Sequence, residues 1–276
     1  MARPWQPSLA LQIGLTLAMA GAAPQAAGAE PVDVELILAV DVSLSMSPEE
    51  LAIQRDGYAA ALTHEQVIRA IEDGIHGKIA LVYVEWAGQS VQRVVVPWTL
   101  VGGRAEAEAV AERLSLLPPN GARRTSIAGM LNFAGDLFAE NEYRGLKRVV
   151  DVSGDGPNNQ GPLVAEARDR LVSQGVTING LPLMTSGGFS SVYDLDNLDI
   201  YYQNCVVGGP GSFVIPVNDW SQFPEAVRRK LVLELAGTPG EAVQPPVRLA
   251  SVEVDAADCE IGEKMWQNRS WRWQDR

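Results

Sequence analysis

Cysteine and histidine are almost absent, with two of each in 276 residues. Two histidines leave little room for a histidine-rich zinc or copper site. Two cysteines can hold neither an iron–sulfur cluster nor an all-cysteine zinc site. Positive charge is also scarce: Lys and Arg total 22 against 34 Asp and Glu, a formal net charge of −12. That balance argues against nucleic-acid binding, whose footprint is a basic face. The phosphate-loop pattern G-x-x-x-x-G-K-[ST] and the nucleophile elbow G-x-S-x-G are both missing. What is there is ordinary globular composition, 46% hydrophobic and 20% charged.

The first residues read as an export signal. Arg3 is the positive n-region, Leu9 to Ala20 is mostly apolar, and Ala27-Gly28-Ala29 offers an A-x-A cleavage site before Glu30. The alternative is a membrane anchor, but the apolar run is short of the ~20 residues a span needs. Cleavage after 29 residues leaves 247, and since Arg3 is the one charge removed, net charge moves from −12 to −13. No later stretch reaches transmembrane length. The expected location is therefore periplasmic or secreted. Export changes how Cys205 and Cys259 read. In an oxidising compartment they can pair, restricting the unfolded chain by roughly 4 kcal/mol in the loop-entropy account. Two buried free thiols are the alternative.

Strand-like and helix-like periods alternate along the rest. Val34 to Val42 is a near-continuous apolar run, as in a strand buried on both faces. Ser47-Pro48-Glu49-Glu50 opens a helix with a capping box. Strands are expected at Lys78 to Trp86 and Val91 to Val96, close enough to form an antiparallel hairpin. Others are expected at Arg148 to Ser153, Val176 to Leu183 and Phe213 to Val217. Helices are expected between them, and a last long one runs from about Asp219 to Ala236. The pattern implies an α/β, doubly wound, mostly parallel six-stranded sheet with one antiparallel edge strand and helices on both faces. Such folds carry their sites in the loops at the carboxyl ends of the strands.

Those loops hold oxygen ligands. Strand one ends in Asp41-Val42-Ser43-Leu44-Ser45, where alternate residues can converge on one side. Strand four ends in Ser153-Gly154-Asp155-Gly156, and Thr125 heads the helix before that strand, with Ser126 beside it. Two carboxylates and three hydroxyls make an all-oxygen set, which suits a hard divalent cation such as Mg2+. Singly, each of these residues is more often a helix cap. The combination, in this order, is what points to a metal.

The three segments D-V-S-L-S (41–45), R-T-S-I-A-G-M-L (124–131) and V-S-G-D-G (152–156) resemble the metal ion-dependent adhesion site of von Willebrand factor type A domains. C-V-V-G-G-P-G-S-F-V-I-P-V (205–217) and A-V-R-R-K-L-V-L-E-L (226–235) resemble more closely the exported bacterial family catalogued as DUF1194. The likeness covers nearly all of 31–265. It implies metal ligation by Asp41, Ser43, Ser45, Thr125 and Asp155, with the hydroxyls in direct contact and the carboxylates often acting through water. One departure stands out. The family often has Thr before the strand-four Asp, and this chain has Gly154, losing a hydroxyl that would support a bound water. Asp151, further upstream, is expected inside the strand and not at the metal.

The expected organisation is a signal peptide at 1–29, a type A-like domain at 30–237, and a C-terminal extension at 238–276 tied back by Cys205–Cys259. The expected function is a non-enzymatic module that binds Mg2+ (or Mn2+ or Ca2+) and uses it to engage a carboxylate on a protein partner. The alternative is an exported Mg2+-dependent hydrolase on the same fold. Against it, Ser43 stands where a dehalogenase-type phosphatase needs a second Asp, and neither His64 nor His76 is placed to serve a nucleophilic Ser. Two segments remain open. Met184 to Asn204, with Tyr201-Tyr202, is either part of a recognition rim or an ordinary ordered loop with a short helix. The tail with Trp266, Trp271, Trp273, Arg269, Arg272 and Arg276 either touches a partner or membrane surface, packs on the domain, or is a disordered end.

Overall fold

The computed structural model describes residues 28–116, 118, 120–185, 195–236, 248–249 and 257–274, with the side chains of 248–249 and 269–274 excepted. The expected signal peptide lies almost wholly outside them. Strand β1 (Glu30–Asp41) lies inside the sheet. It pairs in parallel with β2 (Ile79–Trp86) on one side and β4 (Tyr143–Gly154) on the other. Beyond β2 lies β3 (Gln92–Val101), antiparallel, and beyond β4 lie β5 (Val176–Pro182) and the two-residue β6 (Phe213–Val214), both parallel. These are the six expected strands. A seventh, β7 (Arg248–Leu249), pairs antiparallel with β6, so the order is β3-β2-β1-β4-β5-β6-β7 and both edges are antiparallel. β6 is shorter than the apolar run Phe213 to Val217: after Val214 the Ile215 N–H still donates to the Gly180 carbonyl, and Val217 returns as an isolated bridge to Leu183.

Alternation along β1 divides the core in two. Leu36, Leu38, Val40 and Val42 face one layer of helices: α1 (Pro48–Leu62), α2 (Glu65–Glu72), α3 (Arg104–Leu116) and α7 (Phe223–Leu235). Ile37 and Ala39 face the other, formed by α4 (Ile127–Glu140), α5 (Val164–Ser173) and α6 (Leu198–Tyr201). A strand buried on both faces can be apolar throughout, which is why β1 shows a run and not an alternation. The capping box forms as its residues require: the Ser47 N–H donates to Glu50 Oε2 at 2.7 Å and the Glu50 N–H to Ser47 Oγ at 3.2 Å. A single 3₁₀ turn, Trp220–Gln222, precedes α7.

The chain also has an eighth helix that no sequence period announces, α8 (Ile261–Gln274), held through Cys259 to Cys205 by a disulfide. The cysteines are thus paired and not free thiols. Among the described residues no helix is long and apolar enough to cross a membrane.

One polar cluster lies inside the α7 layer. Asp151 on β4 and Lys230 and Glu234 on α7 are all buried. Lys230 Nζ is 2.8 Å from Asp151 Oδ1 and also pairs with Glu234, whose Oε1 accepts from Asn179 at 2.8 Å. Asp151 therefore belongs to a structural ion cluster, as expected of a strand residue. Burial pushes its carboxyl up to about 7, against the pull of Lys230. A folded-state pKa raised above the unfolded ~3.9 means that folding retains the proton, so this group's contribution to stability falls as pH rises from about 4 to about 7. Replacing Lys230 with Met leaves two buried carboxylates without their cation and should cost about 3–5 kcal/mol in urea unfolding. The loss should be smaller at about pH 5 than at about pH 8, because Asp151 can then stay neutral.

Candidate functional site

Strand order reverses between β1 and β4, since β2 and β3 lie to one side of β1 and all later strands to the other. The ends of β1 and β4 are in register there, with Val40 opposite Ser153. That register brings Asp41 and Asp155 to one place although 114 positions separate them. Asp41 is fully buried and Ser43 nearly so, while Ser45 and Asp155 are only partly covered. The site therefore opens outward from a buried base.

Its hydrogen bonds converge. The Ser43 N–H donates to Asp41 Oδ1 at 2.7 Å. Ser43 Oγ and Ser45 Oγ are 2.8 Å apart. Ser45 Oγ donates to Asp155 Oδ1 at 2.8 Å, and Ser43 Oγ reaches the same oxygen at 3.5 Å. Asp41 Oδ2 is buried with no hydrogen-bond partner among the described residues. Burial, then the nearby Asp155 charge, pushes the Asp41 carboxyl well above the usual carboxylate range. A buried carboxylate with an unused oxygen, facing a second carboxylate and two hydroxyls, fits a hard cation by both charge and donor type.

Thr125 arrives on a different scaffold. Arg124 before it adopts φ 77°, the left-handed region that few non-glycine residues occupy. Its guanidinium stacks on Trp266 of α8, 3.0 Å from the ring centre. Thr125 is buried, its N–H donates to Asn159 Oδ1 at 3.0 Å, and its carbonyl accepts from the Asn159 N–H at 2.9 Å. Ser126 is the N-cap of α4, its Oγ accepting from the Gly129 N–H at 3.1 Å and donating to the Gln160 carbonyl at 2.7 Å. Ser126, and not Thr125, therefore caps the helix.

Sequence reasoning missed the loop that holds these pieces. Asn158 Oδ1 accepts from the Ala128 N–H at 3.0 Å, and Asn158 Nδ2 donates to Glu263 of α8 at 2.6 Å. The Asn158 N–H donates to the Tyr201 phenol at 3.1 Å. The only local signal was a pair of asparagines just after the D-G turn. Tyr201 and Tyr202 are fully buried and so form no recognition rim; residues 195–206 are an ordered connection of α6 and a π-helical turn, Tyr202–Val206. Residues 186–194 of that connection lie outside the described residues. Trp266 packs on the domain; the side chains of Trp271, Trp273, Arg269 and Arg272, and Arg276 altogether, lie outside the description. His64 is exposed and caps α2, accepting from the Gln66 N–H, and His76 is exposed in the turn before β2.

Comparison with known proteins identifies a family and a fold. A family model described as "Protein of unknown function (DUF1194)" matches residues 31–239. Proximal thread matrix protein 1 from the mussel byssus superposes with TM-score 0.54 at 16% identity, over 76% of this chain and 49% of that one. A second structure of it, with zinc occupying its MIDAS motif, gives TM-score 0.51 at 18% identity over the same shares. The pilus adhesin SpaC from Lactobacillus rhamnosus GG gives TM-score 0.53 at 11% identity, over 75% of this chain and 31% of that one. This chain thus spans about half the length of the first neighbour and less of the second; at these identities the likeness establishes the fold. No curated protein matches the chain significantly.

The position that departs from the motif is tightly enclosed. A methyl group on Gly154 would lie 2.8 Å from the Tyr202 phenol oxygen and 2.9 Å from Asp41 Oδ2. Gly154→Ala should therefore destabilise the protein by about 1–3 kcal/mol through overpacking. The penalty should shrink when Tyr202→Phe is added, and a double-mutant cycle by urea unfolding measures that coupling.

Proposed function

The chain belongs to the DUF1194 family, and we propose that it is an exported type A-like module that binds a divalent cation and engages an acidic group of a protein partner through it. The observation that carries this reading is the orphaned, buried Asp41 Oδ2 at the base of an oxygen cluster that opens to solvent. Ser43, Ser45 and Thr125 would hold the ion through hydroxyls, and Asp41 and Asp155 through carboxylates, directly or through water. Mg2+ suits this donor set best, with Mn2+ or Ca2+ as substitutes. A neighbour of the same fold carries zinc at its MIDAS motif, which supports a divalent cation here.

The partner follows from charge. Three of the five ligands are neutral hydroxyls and the two carboxylates only balance a 2+ charge, so an open coordination position on the ion would remain Lewis-acidic and accept a carboxylate oxygen. The rest of the surface works the other way: a chain of net charge −12 repels acidic partners at long range. Engagement is thus short-range and conditional on the metal. The matrix and adhesin roles named for the two neighbours fit a binding module. The hydrolase alternative gains no support from either histidine, since both sit at α2 and the turn before β2.

Calorimetry with purified wild-type protein should show uptake of Mg2+ or Mn2+, and Asp41→Ala should abolish it while circular dichroism shows the fold retained. A partner captured from an envelope fraction should be released by EDTA and not captured by Asp41→Ala. A wild type that takes up neither ion would sink the proposal.

A further inference from the structure

The Tyr202 phenol lies in a slot made for it. Gly180 on β5 is opposite Val152 on β4, and Gly154 is two residues further along β4, so both glycines present the same face of adjacent strands. A methyl on Gly180 would lie 2.8 Å from Tyr202 Cδ1, and one on Gly154 2.8 Å from the phenol oxygen. The ring thus crosses β5 over one glycine and ends with its hydroxyl over the other. Any side chain at either position would expel it. The π-helical turn that begins at Tyr202 contains Cys205, whose disulfide to Cys259 fastens it to the C-terminal segment.

The hydroxyl ends beside the base of the candidate metal site. Tyr202 Oη and Asp41 Oδ2 lie 2.8 and 2.9 Å from the same point above Gly154. Both atoms are buried, and neither has a hydrogen-bond partner among the described residues. Two orphaned buried polar atoms at one spot are costly unless they serve each other or a ligand. They do not bond each other directly, and two atoms this close to one point lie within reach of a single bridging water. Once an ion holds Asp41 as a carboxylate, that group can only accept, and the phenol is the donor.

We infer that Tyr202 is a positioning residue of the cation site: its phenol donates through one water to Asp41 Oδ2 and orients that carboxylate toward the ion. Asp41 is then held from two sides, by the Ser43 N–H on Oδ1 and by Tyr202 on Oδ2. The phenol supplies the hydroxyl that Gly154 cannot. The motif therefore departs from its usual form without losing a polar group, because the hydroxyl enters from β5's far side. This rests on the metal-site reading above and adds a residue that the ligand motif does not contain.

Tyr202→Phe removes one oxygen and keeps the ring in its slot. Supporting groups around metal ligands typically contribute 10–100-fold to affinity. The Mn2+ dissociation constant of Tyr202→Phe, by calorimetry, should therefore rise about 10-fold or more. Its melting temperature without metal should be unchanged or higher, because in the metal-free site the phenol bonds no described protein group directly. Adding Mn2+ to wild type should give a near-ultraviolet tyrosine difference spectrum that Tyr202→Phe lacks. Affinity within twofold of wild type overturns the inference and leaves the metal site standing. So does a metal-free melting temperature that falls in step with affinity, since that marks a purely structural role. A wild type that takes up no Mn2+ overturns the inference and the metal-site reading together.

Discussion

The carboxyl end of the sheet is organised around one buried carboxylate. Asp41 ends the inner strand β1, completely enclosed, with a second carboxylate at Asp155 acting on it. Burial and like charge both oppose its ionisation, and only one of its oxygens is satisfied by the protein. A fold does not retain such a group for stability, because a well-packed apolar residue would serve better. The surrounding polar groups read as the answer to this constraint. Ser43 and Ser45 bring hydroxyls from the loop after β1, and Asp155 comes from the end of β4.

Asp151, inside β4 and four residues before Asp155, is buried as completely as Asp41, yet it meets the same difficulty differently. Its partner is Lys230, supplied by the chain itself. The strand alternation decides which solution each carboxylate has. Asp151 faces the α7 layer, where a lysine is at hand, and Asp41 faces the layer containing Tyr201 and Tyr202, where no described residue offers a cation to it. One acid is neutralised internally, and the other lies at the buried base of a cluster whose outer members, Ser45 and Asp155, are partly exposed.

Much of this was legible because it is local. A buried inner strand writes itself as an apolar run, the capping box as Ser47 and Glu50, and the three oxygen-bearing turns as short motifs. The β1–β4 adjacency followed from the reversal of a doubly wound sheet. The pairing of Cys205 with Cys259 followed from their number and from the expected compartment. What escaped depends on pairs distant in sequence. Gly154 and Gly180 make a slot only once β4 and β5 are in register, and Tyr202 has meaning only when it lies there. The helix α8 escaped for a related reason. Its useful contacts, Glu263 to Asn158 and Trp266 to Arg124, lie on loops more than a hundred residues upstream. No period within the helix records them.

Those contacts change the standing of the C-terminal segment. The site's three loops are not braced by the sheet alone. Asn158 is gripped by Tyr201 and Glu263, Asn159 holds the backbone of Thr125, and Trp266 covers Arg124 in its left-handed turn. One disulfide fastens the element that supplies Tyr201 and Tyr202 to the segment that supplies Glu263 and Trp266. Neutral hydroxyl ligands bind weakly one by one, so their geometry must be fixed before an ion arrives if the ion is not to meet the ordering cost itself. A short loop after each strand cannot fix three hydroxyls and two carboxylates unaided. The stapled C-terminal helix and the paired tyrosines supply that rigidity from behind the site.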